Sequence, residues 1–371
     1  MIIDKNLSKA RLESRGSQLM FNILNKILLR RFFTFDRPQL KLNEIQNQSL
    51  VEFERKVKQE TYSFEYTSCL CGNSEGIILT ERDRYCLPVR TYLCTSCGTL
   101  RTSPRLDKPS LSAFYEKDYR SIYVGNPQAP DEFFEQQSIH GVSIRDFVWK
   151  TIKPDKDLIV FDVGCGAGGT LIPFKHLGCK VFGCDLGSQY LHRGISEGLT
   201  LEHGNIKTLY QYGKADLVIL SHVIEHFPQP LETLKQISEG MSENGYLYIE
   251  VPGIFNIHNA YKDPLLYFQN AHLYHFTLST LTFLLEQAGF QLVKGDNSVQ
   301  ALYQKTNTIP LHSPPKEWVS ILFYLYFAEI NHHFGFLRLL IQHPRYFLSK
   351  ILRFLLGDSA VDRLKRRFSK I

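Results

Sequence analysis

An apolar stretch, Leu158 to Val163, runs into Asp162-Val163-Gly164-Cys165-Gly166-Ala167-Gly168-Gly169. A strand that ends in so many glycines can bring its backbone close to a ligand, and the helix that follows offers its first amides. Two spacings coexist: Gly164, Gly166 and Gly169 fit G-x-G-x-x-G, while Asp162 with Gly164, Gly166 and Gly168 fits D-x-G-x-G. Asp185 follows 21 residues after Gly164, where a second strand should end and a carboxylate can accept both hydroxyl protons of a ribose. A second group is made of thiols. Cys69-Leu70-Cys71-Gly72 and Cys94-Thr95-Ser96-Cys97-Gly98 are two cysteine pairs, each followed by glycine. Four thiolates suit a tetrahedral zinc ion of structural type, and each glycine lets the backbone fold back toward the sulfurs. Reduced buried thiols or a redox dithiol are the other readings, and Cys86 is a spare that could stand in for the short first pair. A third group is His222, Glu225, His226, His272 and His275, which fall where the carboxyl ends of the strands should form a cleft. A histidine there could take a proton from an acceptor. The order expected for a base is His226, then His272, then His222, with the last four residues from His226 and so on the same face if that segment is helical.

Asp162 separates the two glycine readings by charge. The pyrophosphate of a dinucleotide would bring negative charge against this carboxylate. S-adenosylmethionine has no phosphate and carries a sulfonium and an α-ammonium, which a carboxylate favours. At ~4 Å and an effective dielectric of ~20 one such pair is worth roughly 4 kcal/mol before desolvation. Asp185 serves either cofactor.

The elements that must hold these residues alternate. Strands are expected at 158–163, 180–184, 201–203, 215–221 and 246–251, then at 290–294 and 301–305, with helices at 132–150, 170–177, 188–197, 231–241 and 277–288. Such alternation argues an α/β, doubly wound, mostly parallel sheet with its ligand site at the strand ends. Ahead of it, Tyr85 to Tyr92 suits a hairpin within the cysteine unit. Gln18 to Phe35 suits an amphipathic helix, with Asn22, Lys26 and Arg30 on one face and Leu24, Leu28 and Phe32 on another. The organisation expected is a basic helical segment over 1–61, a zinc-knuckle-like unit over 62–106, linker and lid helices over 107–156, the cofactor-binding domain over 157–307 and a basic amphipathic helical tail over 308–371.

Composition is that of a globular protein, with 43% hydrophobic and 22% charged residues in 371, and it excludes wholesale disorder and a polytopic membrane protein. The net charge of +6 is uneven: residues 1–44 hold nine Lys/Arg against four Asp/Glu, residues 300–371 hold eleven against four, and the middle is therefore −6. An acidic middle argues against a nucleic-acid partner. Basic flanks suit docking or a membrane surface. The longest apolar run, Trp318 to Ala328, is too short to span a bilayer, and no signal-peptide pattern opens the chain. A cytoplasmic protein is expected, in peripheral contact with an anionic inner membrane surface through a helix between Pro344 and Gly357.

Taken in order, D-V-G-C-G-A-G-G, G-C-D, A-D-L-V-I-L-S-H-V-I-E-H-F and N-G-Y-L-Y-I-E-V-P resemble a class I S-adenosylmethionine-dependent methyltransferase over about 140–305. The resemblance implies a seven-stranded sheet. The cysteine unit, the segment from Phe114 to Arg120 and Gln269 to Phe276 resemble a subgroup with an N-terminal zinc-knuckle domain, which includes sugar C-methyltransferases and proteins of surface-polysaccharide clusters. Carried over, Gly164, Gly166 and Gly168 would line the cofactor and Asp185 would hold its ribose. Asn205 would lie beside the adenine, and Ser221 and His222 would flank the methionine end. The implied activity is methyl transfer to a small or lipid-linked acceptor, a sugar or surface glycan first, with quinones and other metabolites left open. A membrane-docked adaptor with a vestigial domain and an NAD-dependent sugar-modifying enzyme are the alternatives. Cofactor binding and turnover discriminate among the three.

Overall fold

The computed structural model describes residues 20–34, 36–126, 128–153, 157–307 and 312–342. In the N-terminal part, β1 (Phe64–Glu65) pairs with β5 (Arg105–Leu106), and between them lie β2 (Ile77–Thr80), β3 (Thr91–Leu93) and β4 (Leu100–Thr102). The second half supplies β6 (Ile159–Val163), β7 (Lys180–Asp185), β8 (Thr200–His203), β9 (Ala215–Ser221), β10 (Met241–Glu250), β11 (Tyr274–His275), β12 (Phe290–Gly295) and β13 (Gln300–Lys305). Seven of these form one sheet in the order β12-β13-β10-β9-β6-β7-β8. The five strands from β6 to β10 run parallel, and β13 inserts antiparallel beside β10. The central strand β9 buries Leu217, Val218, Ile219 and Leu220 in succession, which is why its sequence reads as a continuous apolar run and not as an alternation. This is the doubly wound, mostly parallel sheet expected from the sequence.

The smaller sheet joins distant parts of the chain. Its order is β11-β4-β3-β2, and β11 comes from the long insertion between β10 and the helix Leu278–Gln287. Tyr274 and His275 pair with Arg101 and Leu100. The cysteine unit therefore holds the insertion that carries His272 and His275.

Several elements differ from expectation for identifiable reasons. The hairpin of the cysteine unit is built from β2 and β3, and most of the stretch from Tyr85 to Val89 is a loop drawn to Asp83, whose carboxylate accepts the amides of Tyr85 and Leu87. The first helix covers 20–28, and its inward face is Asn25 and Leu29, not Leu28, because Asn25 donates to the Ile78 carbonyl and accepts from Tyr326 Oη. Met241 opens β10 instead of closing a helix, which ends at Glu239. The helix Trp318–Gln342 runs through Gly335 without a break. A helix at Glu44–Lys58 escaped the sequence reading, although Asn43 and Gln46 form a full capping box and Leu50 and Phe53 face inward. The expected helix between Pro344 and Gly357 lies outside the described residues.

Candidate active site

β6 ends in a turn whose backbone favours glycine. Gly164, Gly166 and Gly168 have φ of +76°, +58° and +80°. A Cβ on Gly164 would lie 2.6 Å from Val223 Cγ2, so the turn packs directly on the segment that carries His222 and His226. Asp185 closes the turn from the end of β7. Its Oδ2 accepts from the Gly166 amide at 2.9 Å, its Oδ1 accepts from the Gly187 amide at 2.7 Å, and Arg120 approaches at 3.5 Å. The amides take two of a carboxylate's about four lone-pair sites, and the other two serve hydroxyl donors once the long Arg120 contact gives way.

Asp162 is buried beneath the same turn, and its Oδ2 has no hydrogen-bond partner. Burial, and next the charge of Asp185, push its pKa up to about 7. An orphaned, half-neutralised carboxylate is what a cationic ligand would complete. Together with the Asp185 oxygens and the glycine cradle it fits S-adenosylmethionine: Asp162 would face positive charge, Asp185 would hold the ribose, and the bound cofactor would supply an electrophilic methyl group. Cation binding lowers the Asp162 pKa, so affinity should rise as pH passes through about 7. With full deprotonation required, the gain from pH 6 to pH 8 is about tenfold. Asp162→Asn should flatten that profile in calorimetric titrations; a wild-type affinity equal at the two pH values removes Asp162 from the site. The linked effect on stability has the opposite sense. The folded pKa lies above the unfolded value, so Asp162 costs stability progressively as pH rises from about 4 through about 7.

Ser221, at the end of β9, lies 3.3 Å from His140 Nε2, and His140 in turn lies 2.8 Å from Glu250 Oε2. Burial opposes ionisation of Glu250, but the His140 hydrogen bond, the His222 and His140 charges and Gln300 outweigh it and lower its pKa to about 2. Asn205 is exposed, and its side-chain oxygen caps the short helix Ile206–Tyr212 by accepting from the Lys207 amide. It stands close to the end of β8, with its amide nitrogen pointing away from that cap.

The histidines converge on one carboxylate. Glu225 is 1% exposed, and both of its oxygens lack a hydrogen-bond partner. Around it stand His222 Nδ1 at 3.7 Å, His272 Nε2 at 3.7 Å and His226 Nε2 at 4.0 Å. His222 and His226 share no helix face. His222 has φ +56° and a single 3-10 turn, Ile224–His226, follows it, so the two rings reach Glu225 from different sides. His226 Nδ1 lies 2.8 Å from the Ala271 carbonyl, which can only accept, so the proton sits on Nδ1 and Nε2 offers its lone pair. Tyr115 Oη lies 2.9 Å from the same Nδ1. Burial, only partly opposed by Glu225, lowers the His226 pKa, and burial with the neighbouring His226 and His275 drives His272 well below the usual range. His222 is half exposed; burial works against its charge, but Glu225 and Glu250 prevail and raise its pKa. His275 does not join them. It packs between Tyr267 and Phe268 with its Nε2 unpartnered, and burial lowers its pKa to about 3.

Tyr115, Tyr119 and Tyr123 line up beside His226, with ring centroids 5.0 Å and 4.8 Å apart along the row. Arg120 stacks over Tyr119 at 5.4 Å while reaching Asp185, so one side chain touches both the cofactor turn and the aromatic wall. Gln137 clasps the turn from the long helix Asp131–Val148, donating to the Cys165 carbonyl and accepting from the Gly169 amide. Sequence reasoning gave no role to Gln137, His140 or Glu250. For Glu250 the signal was present, since it ends β10 in an otherwise apolar run; Gln137 and His140 lie on a helix whose periodicity shows only its buried face.

The four cysteines meet at one point. Cys69 and Cys97 sulfurs are 3.5 Å apart and those of Cys71 and Cys94 are 3.6 Å apart. Zinc–sulfur bonds of about 2.3 Å put tetrahedral sulfurs about 3.8 Å from each other. Gly72 and Gly98 take φ of +85° and +87°, and the Thr99 amide points at Cys97 Sγ. The set fits a structural zinc ion, the one-residue gap being absorbed by the turn at Gly72. Cys86 is not part of it and sits against Arg82.

Residues 139–294 match the family model described as a methyltransferase domain. Among curated proteins, the ubiquinone biosynthesis O-methyltransferase of Parvibaculum lavamentivorans is 25% identical over 139 residues, 35% of this chain and 53% of that protein. Its counterpart from Colwellia psychrerythraea is 27% identical over 100 residues, 25% and 41% of the two chains. The match thus spans about half the length of these relatives. Among solved structures, Burkholderia thailandensis 1,6-didemethyltoxoflavin-N1-methyltransferase aligns with a TM-score of 0.42 at 16% identity, over 59% of this chain and 96% of that one. Magnesium protoporphyrin IX methyltransferase from Synechocystis PCC 6803 aligns with a TM-score of 0.38 at 18% identity, over 54% and 100%. With the glycine turn, the two aspartates and the sheet order in place, the chain carries, across residues 139–294, a class I S-adenosylmethionine-dependent methyltransferase domain.

Proposed function

We propose that the protein transfers the methyl group of S-adenosylmethionine to a hydroxyl oxygen of a sugar or surface glycan, free or lipid-linked. The observation that carries this reading is the Glu225 cluster: His226 and His272 meet a buried carboxylate on the segment whose Val223 packs against the cofactor turn, and a hydroxyl acceptor must lose a proton that such a cluster can draw off. The tyrosine row beside His226 offers flat faces on which the C–H side of a sugar ring packs. The curated relatives are O-methyltransferases, which agrees with an oxygen acceptor. Much of the rate comes from holding acceptor and methyl group in line. The test is calorimetry with S-adenosylmethionine and with NAD, followed by turnover on sugar nucleotides, lipid-linked sugars and phenols. Cofactor binding with methylated carbohydrate as product supports the reading. NAD binding alone, or methylation confined to phenols, overturns it; cofactor binding without any turnover favours an adaptor.

A peripheral membrane contact belongs to the same proposal. No helix among the described residues is long and apolar enough to cross a membrane. The helix Trp318–Gln342 nevertheless exposes Val319, Phe323, Phe327, Ile330 and Phe334 along one side. The helix at 20–28 lies against it through Phe21 and Trp318 and exposes Met20, Ile23 and Ile27 together with Lys26 and Arg30. An apolar stripe flanked by cations suits an anionic lipid surface, each basic side chain adding about 1 kcal/mol. The protein should sediment with anionic vesicles at low salt, and Phe323→Ser with Phe327→Ser should reduce that at least tenfold. A wild-type chain that stays in the supernatant sinks the membrane contact without touching the catalytic reading.

A further inference from the structure

The geometry of Glu225 points to a site that methyl transfer as such does not require. Among the described residues, Asp162 is left to the cofactor site, and two other buried carboxylates are satisfied. Asp83 accepts three amides, from Tyr85, Leu87 and Asn270, and Asp118 is held by Lys56 and Tyr62. Glu225 is as deeply buried and has no hydrogen bond on either oxygen. A carboxylate in that state is costly unless a cation meets it. The groups facing it are imidazole nitrogens. His226 is fixed with its proton on Nδ1 by the Ala271 carbonyl, so its Nε2 lone pair faces Glu225 Oε1. A backbone carbonyl on the far ring nitrogen is the usual support of a metal-binding histidine. His272 brings Nε2 to the same oxygen, with Gln269 against its ring.

We propose that Glu225, His226 and His272 bind a divalent transition-metal ion, with His222 at the open side of the site. Their ligand atoms lie within 4.8 Å of one another. Metal–ligand bonds of about 2.0–2.1 Å put neighbouring tetrahedral ligands about 3.4 Å apart, so the two histidine–carboxylate distances of 3.7 and 4.0 Å, and the 4.8 Å that bounds the whole set, close by side-chain rotations as the Gln269 amide swings off His272. Two imidazoles and one carboxylate suit zinc, manganese, iron(II) or cobalt, and three protein ligands leave a position free. His222, 3.7 Å from Glu225, and Tyr115, against His226, are the neighbours of that position. Resting on the acceptor reading given above, such an ion would take over from the histidines the drawing off of the proton: it would bind the hydroxyl oxygen and lower its pKa, the proton would pass to solvent, and the oxygen would attack the methyl carbon. The carbon–sulfur bond breaks with its electron pair going to sulfur, giving a neutral thioether.

Metal stripped from the full-length protein by chelation and replaced with cobalt(II) provides the test. Two ions per chain are expected. The cysteine site should show intense sulfur-to-metal charge-transfer absorption, and the second ion only weak visible bands. Glu225→Gln and, separately, His272→Gln should lose the weak bands and the second ion while keeping the charge-transfer absorption and S-adenosylmethionine binding, which shows that the variants fold. Uptake of a single ion, at the cysteines, by a folded and cofactor-binding wild type overturns the proposal; so does an unchanged second ion in both variants. Failure of the acceptor reading is distinguishable: two ions with no methylated carbohydrate leaves the metal site standing, and metal-independent methylation by a one-ion protein leaves only the methylation standing.

Discussion

Asp185→Ala should lower the affinity for S-adenosylmethionine by at least 100-fold while the protein stays folded. The carboxylate closes the glycine turn through the Gly166 and Gly187 amides and keeps lone pairs for two hydroxyls of a ribose. Each charge-assisted bond to a hydroxyl is worth about 1.5–3 kcal/mol, so losing two reaches 100-fold at the least. The same change leaves two amides unpartnered in a site that is nearly closed to water. Stability should therefore fall by about 1–3 kcal/mol, read as a lower melting temperature. Asp185→Asn separates the effects: it can still accept from one amide and should recover part of the stability with little of the binding. Calorimetry on both variants decides. Wild-type affinity in Asp185→Ala would place the ribose elsewhere.

The second large effect is expected at a distance from the cofactor. Cys97→Ser should leave S-adenosylmethionine binding within about threefold of wild type and reduce turnover more than 100-fold. The cysteine unit contributes three strands to a sheet whose fourth, β11, carries His275 and follows directly on His272. Thr102 also donates to the His272 carbonyl, and Arg105 reaches both Tyr274 and the Pro228 carbonyl. Ions of this kind supply folding free energy outright, so loss of one thiolate should loosen the whole unit and with it the seat of His272. The large sheet, whose glycine turn makes no contact with the thiols, keeps its cofactor. Full turnover in a variant shown by elemental analysis to hold no ion at the cysteines would break the link between the cysteine unit and His272.

How much of this was legible in the sequence depended on how local the cause was. Asp162, the glycines and Asp185 belong to one strand-turn-helix-strand unit, and the turn's positive φ angles favour the glycines that make it visible. The burial of β9 on both faces shows as an unbroken apolar run. His226 and His272 could be named as candidates, but their convergence on Glu225 could not, because it requires the chain to fold back over 45 positions until Ala271 touches His226. The face of the helix at 20–28 was misread for a related reason. Its inward position is held by the polar Asn25, whose partners Ile78 and Tyr326 lie far along the chain, and periodicity counts only apolar residues. The loop at Tyr85 to Val89 has strand-like composition, but the buried Asp83 outbids it with three amide bonds.

The salt bridges at Arg31 give the molecule an order of assembly. Arg31 grips Asp263 in the insertion and Glu329 in the last described helix at once, the latter carboxylate being nearly sealed from water. Leu29 and Phe32 beside it share a core with Leu79, Tyr267 and Leu325. None of this core can close until residues some 300 positions apart have both left the ribosome, whereas the strands of the cofactor turn, β6 to β9, are complete within a single stretch of chain. Contacts between distant residues form late because closing a long loop costs entropy before anything is gained. A nascent chain would thus acquire its glycine turn well before the core that seats the insertion of His272, and for that interval a methyl donor could be held with the proposed acceptor side still unformed.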